Sequence, residues 1–164
     1  MKTYNLAFRF RIYPKKEQEI LIHKTFGCSR FVYNQILGKA KEIYELEGKN
    51  KIITPASLKS EFTFLKEVDS LALANVQLNV RTAFTNFFQK RASFPKFKSK
   101  KTARKSYSTN CVNNSIRIEN SFLKLPKLGF IKIKLHRQIP QNYAIKSATI
   151  SQEPNGTYYV SILT

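Results

Sequence analysis

Arg91–Tyr107 reads RASFPKFKSKKTARKSY, carrying Arg91, Lys96, Lys98, Lys100, Lys101, Arg104 and Lys105 with no acid among them. Lysine and arginine heads neutralise phosphate, and flat rings stack on bases. Phe94, Phe97 and Tyr107 interleave with these cations. A like-charge run by itself reads as a solvated connector. Here Pro95 and the aromatics interrupt it, and patterned regions flank it, so the stretch points to nucleic-acid contact. The whole chain of 164 residues carries a net charge of +19. Such a charge repels itself in the compact state, and a polyanionic partner compensates it.

Catalytic groups are scarce. Asp69 is the sole aspartate, and beyond residue 90 the only acids are Glu119 and Glu153. A two-metal nuclease needs several convergent carboxylates, which this half of the chain does not supply. His23 and His136 have no neighbour at metal-ligand spacing. Cys28 and Cys111 are far apart and belong to no CxxC pair, so a cysteine zinc site is not expected. No phosphate-binding glycine loop or nucleophile elbow is present. The reading is therefore of a non-enzyme with no catalytic residue, metal or cofactor. With reduced thiols, no signal peptide and no apolar run of membrane-spanning length, a cytoplasmic location is expected and no membrane partner.

The elements that must position these residues follow from periodicity. Tyr4, Leu6, Phe8, Phe10 and Ile12 alternate with polar and basic neighbours, predicting a strand with Arg9 and Arg11 on its open face. Pro14 ends it. Leu21, Thr25, Cys28, Val32, Ile36, Ala40 and Ile43 then step at helical spacing, with a kink expected at Gly27 and a stop at Gly48. Thr54-Pro55 predicts a capped helix start, with Leu58, Phe62 and Leu65 on one face. Asp69-Ser70 caps a further helix to about Lys90, in which Phe84 and Phe88 are expected in the core or in helix–helix packing rather than stacked on bases. Period two returns in Ser115–Ile118, Phe122–Leu125, Phe130–Leu135, Ile145–Ser151 and Tyr158–Leu163, and Asn155-Gly156 marks a hairpin. The expected fold is α+β: a small antiparallel β-barrel, residues 1–13 and 91–164, interrupted by a helical insert at 14–90.

With these pieces in place, the chain resembles, across its length, the N-terminal part of the TnpB/OrfB family of bacterial insertion sequences. FRIYPKKEQE (Phe10–Glu19), GCSRFVYN (Gly27–Asn34), AFTNFF (Ala83–Phe88), FPKFKSKK (Phe94–Lys101), Ile116–Arg137 and Ser147–Ile162 carry the likeness. The resemblance implies a wedge-type barrel with a helical recognition insert, and names such as transposase and helix-turn-helix. It implies an RNA-guided scheme, in which a guide-type structured RNA pairs with the target and the protein reads a short duplex DNA motif. In the family, the strand like Tyr158–Leu163 leads into a nuclease domain and a zinc ribbon, and this sequence stops at Thr164. A non-catalytic, nucleoid-associated nucleic-acid-binding module is the reading that follows. The alternatives are the recognition subunit of a split nuclease completed by a separate chain, and a general basic RNA-binding protein. RNA is expected along Arg9, Arg11, Lys96, Phe97, Lys98, Lys100, Lys101, Tyr107, Lys132 and Lys134. Duplex DNA is expected at Arg30, Tyr33, Asn34, Lys66, Ser70, Asn75 and Arg81.

Overall fold

A computed structural model describes residues 2–164. It is an α+β fold that separates into two compact units. One holds the chain up to Lys24 together with Lys105–Thr164, and the other holds Thr25–Arg104.

The first unit is a seven-stranded, fully antiparallel sheet. Its strands are β1 (Ala7–Tyr13), β2 (Ser106–Asn110), β3 (Arg117–Glu119), β4 (Phe122–Leu125), β5 (Gly129–Ile133), β6 (Ser147–Gln152) and β7 (Tyr158–Leu163), ordered β2-β6-β7-β1-β5-β4-β3. Alternation decides the core. Phe8, Phe10 and Ile12 of β1 are buried with Val160, Ile162, Ile150, Ile131, Ile133 and Leu123. Each such side chain removed from water contributes about 1.5–3 kcal/mol. Register fixes their layering, with Phe10 opposite Val160 and Ile12 opposite Tyr158 and Ile133. The turns fall where the backbone must turn left-handed: Asn120 between β3 and β4 (φ 56°), Gly129 at the head of β5 (φ 73°) and Gly156 before β7 (φ 91°).

Several expectations need correction. The sheet is open, not a closed barrel: β2 and β3 lie at opposite ends of the strand order with no ladder between them. A barrel requires that last ladder and a matching stagger, and β3 has only three residues to offer. Tyr4 and Leu6 alternate correctly but lie outside β1 and are exposed. β2, within what reads as the end of the basic region, is an additional strand, and it puts Tyr107 inside, opposite Ile150, at 6% exposure.

Helix α1 runs unbroken from Lys16 to Glu47. Gly27 does not divide it into two helices: a glycine in a helix costs about 1 kcal/mol against alanine, too little to end a helix that continues on both sides. The Gln18 side chain caps the start by accepting from the Lys15 amide (2.8 Å). It also donates to the Phe130 carbonyl (2.8 Å), which ties the helix start to β5 within the sheet unit. Gly48, at φ +67°, closes the other end.

The second unit holds the rest of α1, α2 (Pro55–Lys59), a 3-10 turn at Thr63–Glu67, and α3 (Ser70–Phe88). Thr54 caps α2 by accepting from Ser57 N, and Asp69 caps α3 by accepting from Leu71 N. Leu58 and Leu65 are buried, but α2 stops at Lys59, so they do not share one helix face with Phe62. Phe62 packs with Phe31 and Phe64 instead, ring centroids 4.8 and 6.2 Å away. Phe84 is core, and Phe88, though 42% exposed, packs between helices against Tyr44 of α1 at 5.8 Å.

Candidate nucleic-acid interface

Period two places every second strand residue on the sheet's outer face, and register sets them side by side. One row across β3, β4 and β5 reads Arg117, Lys124, Phe130. The next reads Glu119, Phe122, Lys132 and, on β1, Tyr13. Arg11 stands opposite Tyr159, and Arg9 opposite Ser161. Three rings here are open to solvent although large and apolar: Tyr13 at 39%, Phe122 at 43% and Phe130 at 41%. Cations lie over neighbouring rings, with the Arg9 guanidinium 4.1 Å from the Tyr159 centroid, Arg11 5.0 Å from Tyr13 and Arg117 5.7 Å from Phe130. Such contacts contribute about 0.5–1 kcal/mol at exposed sites and hold planar cations and rings together in one layer. Carboxylates temper two of them: Glu153 meets Arg9 and Glu119 meets Arg117, each at 2.6 Å.

Of the residues expected to contact RNA, Arg9, Arg11 and Lys132 lie on this face, and Lys134 is exposed just past β5. Tyr107 does not; its position on β2 turns the ring into the core, so it offers no stacking surface. Tyr13, Phe122, Phe130, Tyr159, Arg117 and Lys124 join the face without having been singled out from sequence. Parity carried the signal: Phe130 shares its parity with Lys132, and Tyr13 with Arg11. Which strands lie side by side was not readable.

The basic segment belongs to the helical unit and is anchored there. Asn34 of α1 grips Lys98 at both backbone atoms, donating from Nδ2 to its carbonyl and accepting from its amide on Oδ1, each at 2.8 Å. The Lys98 Nζ sits 4.2 Å above the ring of Tyr33. Lys98 is exposed as a residue, yet its ammonium loses water against that ring, which lowers its pKa from the ordinary lysine value. Burial likewise raises the Tyr33 phenol. Phe97, 56% exposed, lies over Gly38, where an added side-chain carbon would come within 3.6 Å of the ring. Phe94 packs against Phe84 and Phe87 at 5.5 and 5.1 Å. A turn closed by Ala103 N donating to the Ser99 carbonyl (2.9 Å) presents Lys100 and Lys101 to solvent, and Lys96 is exposed as well.

The residues expected to face duplex DNA do not form one group. Tyr33 is buried and Asn34 holds Lys98. Asn75 donates to the Leu71 carbonyl of its own helix at 3.0 Å. Arg30 is half-buried on α1, and Lys66 is exposed on the 3-10 turn. Ser70 and Arg81 are exposed on α3 and fall on one side of it, separated by roughly 20° around the axis at 3.6 residues per turn.

Among the described residues, no three His, Cys, Asp or Glu side chains gather into a group that could hold a metal ion. No helix among the described residues is long and apolar enough to cross a membrane.

A family described as a helix-turn-helix domain, of the OrfB IS605 type, matches residues 1–49. Those residues fold as β1 followed by the single helix α1, with no second helix before Pro55. A protein of Streptomyces pristinaespiralis, provisionally named RNA-guided DNA endonuclease, is 32% identical over 99% of this chain and 42% of its own length. InsQ of Escherichia coli K12, provisionally named the same way, is 32% identical over 96% of this chain and 40% of its own. The chain thus spans less than half the length of these two relatives. Virulence protein VsdF of Salmonella dublin is 34% identical over 57% of this chain and 92% of its own length.

Proposed function

The chain belongs to the TnpB/OrfB family, whose N-terminal half it matches, and from that we propose that it is a non-catalytic nucleic-acid-binding module that holds guide-type structured RNA on the outer face of its sheet. The observation that carries the reading is the mosaic of exposed rings and cations on that face. Tyr13, Phe122 and Phe130 are open to bases, while Lys124 and Lys132 lie in register beside them and Arg11 lies over Tyr13, available to phosphates. A ring facing water is otherwise unfavourable, and stacked bases cover it. Lys96, Lys100 and Lys101 add a second phosphate-binding stretch. Duplex DNA falls to the exposed side of α3, where Ser70 and Arg81 stand, and to Lys66. Phosphate contacts there set position, and pairing by the RNA supplies sequence.

The test is sequencing of the RNA that co-purifies at moderate salt, followed by a salt titration of the recovered species. One structured RNA is expected, with affinity falling roughly a thousandfold between about 50 and 200 mM salt if about six phosphates are neutralised. A diffuse mixture tracking cellular abundance would leave only a general basic RNA binder. A flat salt response would remove the reading altogether.

A further inference from the structure

A cavity of about 760 Å³ lies beside β3, at the end of the sheet. One wall is β3 with the chain leading into it from Cys111, and the other is the segment from Leu135 to Ile145. That second wall is fixed from behind. His136 packs on Phe10 at 5.2 Å, Arg137 lies 4.4 Å over the Phe8 ring, and Tyr143 meets Phe8 at 6.5 Å. The volume lies in the range of about 300–1,000 Å³ that small-molecule sites occupy.

The lining has a definite chemistry. Ile116 and Ile139 are apolar, Tyr143 supplies a flat ring, and Asn114, Gln138 and Gln141 each supply an amide donor and acceptor. No carboxylate lines it, and its only charged residue, Arg117, is paired through Nε with Glu119 at 2.6 Å and donates from Nη1 to the Asn114 carbonyl at 3.3 Å. Arg117 also begins the outer-face row Arg117, Lys124, Phe130. The cavity therefore opens where the ring-and-cation face ends. An apolar slot with a ring and paired donor–acceptor amides suits a planar heterocycle, and the side-chain amides of Asn and Gln pair bidentately with adenine through its N6 donor and N7 acceptor.

We infer that this cavity receives a single unstacked nucleobase, adenine the best matched, from a strand lying on the sheet face, with Arg117 at the phosphate beside it. The assignment of the strand rests on the function proposed above; the cavity's chemistry does not. Extruding a base from a stack costs a few kcal/mol, least in single strands, so an RNA loop or end is the donor.

The experiment is a titration with 5′-AMP followed by amide NMR at residues 111–145, on the wild type and on Ala144→Trp. Ala144 lines the cavity and is exposed, so the larger ring fills the space without entering the core. Saturating shifts on both walls are expected in the wild type, weaker with 5′-UMP, and an affinity about tenfold lower in the variant, the effect of one lost good contact. Gln141→Ala, on an exposed turn, is expected to weaken 5′-AMP in the same direction. Shifts absent from the cavity, or unchanged by both variants, overturn the inference. Salt dependence of RNA binding, measured alongside, separates the two ideas. A steep slope with a silent cavity sinks only the base pocket. A flat slope with a responsive cavity sinks the RNA-binding face and leaves a nucleotide site.

Discussion

The outer face of the sheet and the segment Arg91–Lys105 are both mixtures of cations and rings, yet their residues are committed differently. On the sheet, backbone ladders hold the chain, and the side chains of Tyr13, Phe122, Phe130 and Lys132 are left to face solvent. In the segment no ladder exists, so side chains do the holding. Asn34 takes the Lys98 backbone, Tyr33 takes its ammonium, and Phe94 is drawn into the Phe84–Phe87 cluster. A basic run without a ladder thus commits part of itself to its own anchoring, here Lys98 and Phe94, while Lys96, Lys100 and Lys101 stay exposed.

Charge removal breaks or sharpens that contrast most strongly. Replacing Arg9, Arg11, Lys124 and Lys132 together by Ala is expected to reduce the slope of log K against log salt by about 3 for single-stranded RNA. Replacing Lys96, Lys98, Lys100 and Lys101 is expected to reduce it by about 2, because Lys98 is held against Tyr33. Fluorescence anisotropy over a salt series reads both, and a larger change in the second variant would reverse the ranking of the two regions.

Ring removal comes next. Phe130→Ala is expected to weaken RNA binding by about 1–3 kcal/mol with no change in salt slope, the mark of lost stacking. Phe97→Ala is expected to lose less, since that ring already leans on Gly38. Equal losses would make the segment a second stacking surface.

The smallest effect is on stability. Asn34→Ala removes the two hydrogen bonds to Lys98, expected to cost about 1–2 kcal/mol. Urea unfolding measures that loss, and trypsin should cut faster after Lys96, Lys98, Lys100 and Lys101. An unchanged cleavage rate would show the segment to be held by Phe94 and Tyr33 alone.

Much of this molecule is legible residue by residue. Thr54 and Asp69 announce the starts of α2 and α3, because a cap is a bond between near neighbours. Gly48 and Gly156 mark turns, because positive φ excludes most other residues. Phe122–Leu125 and Tyr158–Leu163 are strands at the bounds their alternation predicts. The misreadings have another origin. Gly27 signals a break locally, but α1 continues through it. Tyr107, in a charged neighbourhood, is buried because β2 pairs with β6 more than forty positions later in the chain.

Sequence by itself determined the net charge of +19, the strand–helix–strand order and the family resemblance, since charge, periodicity and motif are properties of the chain read along its length. Tertiary structure alone decided which rings meet which cations. It also decided that the sheet stays open and that Asn34 serves Lys98 rather than a base. Those outcomes depend on strand order and on contacts between distant residues such as Asn34 and Lys98, which no local pattern encodes.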